Sequence, residues 1–240
     1  MLMAPQELLF LLVIFVANTF EAMTGFAGTL LAMPASIMLI GVDEAKTVLN
    51  VVALICCSWI AIRYYEHINK KEFIKIAGFM LLGMIVGIGL FDFVSLNYLL
   101  KIYAVVIILI ALKNIFVKRV ISLPAAGMIA IILIAGIIHG MFLSGGSFLI
   151  IYAISALKNK AEFRATLASV WVVLDSIMLF NQTRLGHLNS DTIPLILWSI
   201  IPLVFAIALG NRLHERINQQ SFLMLTYILL LISGISLIIK

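Results

Sequence analysis

Two short runs, Thr24-Gly25-Phe26-Ala27-Gly28-Thr29 and Ser144-Gly145-Gly146-Ser147, set glycines beside hydroxyl side chains in the middle of long apolar stretches. That combination suits the binding of an anion. Where a helix restarts, its first N–H groups have no intrahelical partner, and with the positive end of the helix dipole they attract negative charge. Gly25, Gly28, Gly145 and Gly146 let a ligand approach the backbone, while the hydroxyls of Thr24, Thr29, Ser144 and Ser147 add donors that can reorient. These eight residues form the candidate substrate-binding set. The competing reading gives the glycines only a packing role, as small residues have between membrane helices. Two such runs at matching positions favour binding.

The match extends beyond the glycines. At an offset of 118 positions Gly28 aligns with Gly146, Thr29 with Ser147, Glu44 with Glu162, Lys46 with Arg164 and Ser58 with Ser176. Glu21 aligns with His139, each just before its run, and an ionisable residue inside a membrane segment is costly enough to point to function. Both are candidates for gating or proton coupling. The alternative is that Glu21 caps a broken helix and His139 is a neutral core donor. Lys46 and Arg164 open equivalent segments, where a cation concentrates an anionic substrate; alternatively they pair with Glu44 and Glu162 or snorkel to headgroups. Asp175 is a candidate proton relay, or a partner of Arg184 or His139. Asn18, Asn50 and Asn181 suit interhelical hydrogen bonds. His67, His187 and His214 are assigned to loops, and Trp59, Trp171 and Trp198 to interfacial anchoring and packing. Cys56 and Cys57 are adjacent, a poor geometry for a disulfide, and are read as small packing residues.

The elements that must position these groups are membrane helices. With 64% hydrophobic and 11% charged residues, the chain has too little polar surface to cover a soluble globule. The N-terminus lacks the basic segment and cleavage site of a secretory signal, so its first apolar segment is expected to remain in the protein. Each half reads as one long interrupted segment, 6–40 or 123–157, followed by three spans: 45–62, 73–91 and 96–112, then 165–181, 192–209 and 221–239. A straight helix over 6–40 would be roughly 52 Å long, against a hydrocarbon core of about 30 Å, so a break is needed and glycine is expected to supply it.

Charge decides how the interrupted segments run. If each crosses once, the 16 Lys and Arg divide 9 to 7 between the two sides; if each folds back, they divide 12 to 4, leaving only Lys46, Lys101, Arg184 and Lys240 on the minor side. The positive-inside rule selects the second arrangement, with both termini outside. The expected fold is therefore an all-α polytopic membrane protein of two inverted repeats, 1–119 and 120–240, in one membrane domain. Each repeat holds a broken or re-entrant segment plus three transmembrane helices, giving 8 to 10 membrane segments. The excess of basic residues, net charge +5, is scattered over short loops without an aromatic platform, which excludes nucleic acid as a partner.

Chain length, the two glycine-containing breaks, the Glu162-Phe163-Arg164-Ala165-Thr166-Leu167 stretch and the two-half organisation resemble the sulfite exporter TauE/SafE family of membrane permeases, over essentially the whole chain. The resemblance implies a permease of the cytoplasmic membrane that moves sulfite, thiosulfate, sulfate or organosulfonates without ATP-binding machinery, and the chain has no Walker-type phosphate loop. The breaks carry fewer glycines than is usual in that family, which leaves the anion open. No cofactor or metal is expected, the partners being the anion and the lipid bilayer, and a homo-oligomer is compatible with the sequence. Two other classes compete: an anion channel or structural membrane subunit, and an intramembrane enzyme using Glu21, His139 and Asp175. The second lacks a His-Glu-x-x-His pair or comparable cluster.

Overall fold

The computed structural model describes residues 5–93, 95–116, 124–157 and 159–216, with isolated positions between 218 and 238. Among them are nine α-helices: α1 (Pro5–Thr24), α2 (Gly28–Ile40), α3 (Val42–Arg63), α4 (Lys70–Phe93), α5 (Leu96–Phe116), α6 (Ala125–Phe142), α7 (Gly146–Ala156), α8 (Lys160–Arg184) and α9 (Thr192–Arg216). Six of them, α1, α3, α4, α6, α8 and α9, are long and apolar enough to cross a bilayer. Most of the span expected over 221–239, together with Lys118, Arg119, Lys158 and Lys240, lies outside the described residues.

The distribution of polarity is that of a membrane protein. Large apolar side chains such as Leu8, Ile62, Phe93 and Phe205 face outward, while Asn18, Glu21, Asn50, His139, Arg164, Asp175 and Gln182 are buried. Lipid gives those polar groups no partner, so they gather inside the bundle.

The helices run longer than the apolar segments that announce them. At α8 the Asn159 side chain accepts the Glu162 N–H at 2.9 Å, a cap that starts the helix five residues before the apolar span. At the end of α9 the helix continues through Asn211-Arg212-Leu213-His214. His214 is therefore helical rather than in a loop, with its Nδ1 2.7 Å from the Met23 carbonyl.

Three helix pairings dominate: α4 with α6, α1 with α9, and α3 with α8. The first is a seam of small residues. A Cβ added at Gly83 or Gly87 would strike the backbone of α6, and one at Gly136 or Gly140 would strike that of α4. Both helices carry glycines four apart on the contact face, which lets their backbones approach directly.

Candidate functional site

The two interrupted segments break by different means. The α1 helix ends at Gly25, whose φ of +81° is the left-handed conformation that glycine adopts freely, with its N–H donating to the Glu21 carbonyl at 2.7 Å. Bulk is excluded there too, since a Cβ would lie 2.7 Å from the Arg164 carbonyl oxygen. The α6 helix ends at Leu143, φ 54°, a conformation costing a non-glycine residue about 1–2 kcal/mol. Glycine thus supplies the first break but not the turn of the second. Gly145 and Gly146 serve close approach instead: a Cβ on Gly146 would lie 2.8 Å from the Phe26 carbonyl oxygen and 3.2 Å from its ring, while Gly145 abuts α6 at Ala135 and His139.

After each break the new helix starts against the one before it. The Gly28 position at the start of α2 packs on Glu21 of α1, and α7 starts against α6. The two breaks also meet each other, through Thr29 Oγ1 donating to the Leu143 carbonyl at 2.6 Å and through Gly146 against Phe26.

Between them lies a cavity of ≈ 10 Å³, lined by Glu21, Phe26, Thr29, Ala53, His139, Leu143, Gly146, Trp171 and Asp175. That is about the room of one water molecule. Within the wall, Glu21 accepts the Gly28 N–H on Oε2 and the Cys57 thiol on Oε1, the latter at 3.2 Å. His139 Nε2 lies 3.0 Å from Asp175 Oδ1, and its ring stacks on Trp171 at 5.1 Å. His139 Nδ1 has no hydrogen-bond partner among the described residues. Trp171 Nε1 donates to the Gly25 carbonyl at 2.8 Å, tying α8 to the first break.

The structure thus brings together Glu21, His139, Asp175, Thr29 and Gly146 and sets the other candidates around them. The Thr24 hydroxyl donates to the Phe20 carbonyl at 2.8 Å, and Ser147 to the Ser144 carbonyl at 3.2 Å. Ser144 Oγ donates to the Phe142 carbonyl and lies 2.9 Å from the Tyr103 hydroxyl of α5. Lys46 sits 3.5 Å above the Phe91 ring in the wall of a second cavity, ≈ 290 Å³, shared with Asp43, Asn181, Gln182 and His187. Arg164 is buried with Nη2 2.5 Å from Asn211 Oδ1 and its guanidinium over the Tyr64 ring, while Glu162 accepts from Asn69 Nδ2 at 2.6 Å. Asn50 bridges α3 and α8 through the Asp175 carbonyl and Gln182 Oε1.

The sequence assigns packing roles alone to two residues of this site, Trp171 in the cavity wall and Cys57, whose thiol donates to Glu21. Trp171 is placed four residues before Asp175, hence on the same helical face, and that spacing is the available signal. Nothing in the neighbourhood of Cys57 along the chain points to Glu21.

A bundle of apolar helices with its ionisable groups inside and two helices interrupted at one shared point is the build of a membrane transporter. The chain belongs to the sulfite exporter TauE/SafE family, whose model matches residues 10–237. Neither a curated protein nor a solved structure matches it.

Proposed function

We propose that this protein is a secondary transporter, a permease for small sulfur-containing anions such as sulfite, thiosulfate, sulfate or organosulfonates, which works by alternating access around a central site at the two helix breaks. The observation that carries this reading is the meeting of both breaks at one buried cavity, with the starts of α2 and α7 facing a common centre. Thr24, Gly25, Gly28, Thr29, Ser144, Gly145, Gly146 and Ser147 form the binding set, with Thr29 and Gly146 at the cavity itself, and the hydroxyls exchange their present carbonyl partners for the anion. Glu21 and His139 gate the site or couple it to protons, with Asp175 orienting His139. Lys46 and Arg164 hold positive charge toward the two mouths. The cavity is too small for a sulfur oxyanion, so this conformation corresponds to an empty closed state of the cycle, and the cavity must widen to take the substrate.

The halves 1–119 and 120–240 act as inverted repeats of 8 to 10 membrane segments in the cytoplasmic membrane, with both termini outside. The helix pairing supports the repeat. Exchanging the halves by the 118 offset turns the α4–α6 pair into α9–α1 and returns α3–α8 to itself, and these are the three dominant pairings.

The test is counterflow of labelled sulfite, thiosulfate, sulfate and taurine in proteoliposomes. Saturable flux of at least one anion is expected in the wild type and in Gly78→Leu, where a side chain meets open space. Loss is expected in Gly146→Leu that still elutes as folded protein. No saturable flux for any anion in folded wild type would overturn the reading.

A further inference from the structure

The N-terminus of α2 already holds a carboxyl group, and it belongs to the protein. Glu21 is 2% exposed, and its carboxylate takes the Gly28 N–H, the first donor of the restarted helix. A Cβ at Gly28 would lie 2.7 Å from both Glu21 Cβ and Oε2, so the carboxylate fills the space beside that N–H as well as its hydrogen bond. The same side chain forms part of the wall of the central cavity, which is lined as well by buried His139, whose Nδ1 has no partner among the described residues.

We infer that Glu21 is a built-in competitor of the substrate: its carboxylate occupies the anion position at Gly28, and a sulfur oxyanion binds there only when Glu21 withdraws. This deepens the permease reading and rests on it. The geometry makes the two states exclusive, because the central cavity of ≈ 10 Å³ holds about one water beside the carboxylate. Two negative charges on one N–H group would also repel. A proton on Glu21 removes the charge that the helix end attracts and weakens the hydrogen bond from Gly28, so acid favours substrate binding.

The surroundings of Glu21 set how readily this happens. From α3 it faces Cys56 and Cys57, from α6 His139, and from α8 Asp175 and, further off, Arg164; α9 brings His214 to the end of α1 at Met23. No residue of α2 titrates. Asp175 opposes the Glu21 charge, and its contact with His139 tempers that opposition.

The experiment measures half-saturation for labelled sulfate and thiosulfate, dianions whose own charge is fixed over the accessible pH range, with the intact protein in proteoliposomes. In the wild type, acidification is expected to lower half-saturation. Glu21→Gln, which keeps the shape and loses the charge, is expected to lower it about fivefold at neutral pH and to abolish the pH slope. Glu21→Asp keeps the charge but withdraws it from Gly28; competition predicts tighter substrate binding here too, whereas a pure proton relay predicts wild-type affinity. Cys57→Ala removes only the thiol contact and is expected to shift half-saturation in the same direction, which keeps the inference testable if a Glu21 variant does not fold. Unchanged or weaker binding in the folded variants, beside normal wild-type flux, would overturn competition and leave the permease standing. Absence of flux from the wild type would remove both.

Discussion

Trp171 joins the first break to His139, holding the Gly25 carbonyl 2.8 Å from its indole nitrogen and laying its ring on the imidazole. Trp171→Phe keeps an aromatic face and deletes the hydrogen bond. The expected loss is about 1 kcal/mol, read as a lower Tm in detergent together with slower anion flux. Gly25→Ala is expected to cost more. The left-handed backbone alone accounts for about 1–2 kcal/mol, and the added Cβ meets the Arg164 carbonyl oxygen at 2.7 Å. A Gly25→Ala protein as stable as the wild type in the same melt would contradict the geometry of the break. At this scale Glu21, His139 and Asp175 were legible because an ionisable residue in an apolar run is conspicuous. Trp171 and Cys57 were not, since their chemistry is visible only once α8 and α3 are folded against α1. The turn at Leu143 was hidden for the opposite reason: glycines two and three residues further on drew the expectation to themselves.

The α4–α6 seam sets a test between helices. Gly140→Ala drives a methyl group into the backbone of α4 and is expected to destabilise, whereas Gly78→Ala on the same α4 meets nothing within 4 Å. The second change is expected to stabilise by up to about 1 kcal/mol through helix propensity alone. Opposite signs in paired thermal melts are the predicted result, and equal signs would contradict the seam. The existence and order of the helices followed from apolar runs between charged linkers. Their ends did not, because the Asn159 cap and the polar last turns of α9 extend helices beyond the apolar residues that mark them. Helix pairing was illegible as well. A glycine facing a neighbour at Gly83 and one facing open space at Gly78 look alike in sequence.

At the scale of the molecule, the dominant pairings among the described residues each join a helix before residue 120 to one after it, so the two parts of the chain interlock rather than sit side by side. Orientation is tested with single cysteines, since Cys56 and Cys57 are buried from impermeant reagents. In intact cells Asn189→Cys is expected to label from outside and Lys71→Cys only after the membrane is opened, both positions being exposed. The reverse pattern would invert the proposed topology, and labelling of both from one side would end the inverted repeat. The plug formed where the breaks meet carries a further consequence, for the cell. With room for about one water at its centre, the junction of the two breaks has no space for a file of waters to carry protons or small ions past it. Idle copies sealed at that junction would leave the voltage of their membrane intact.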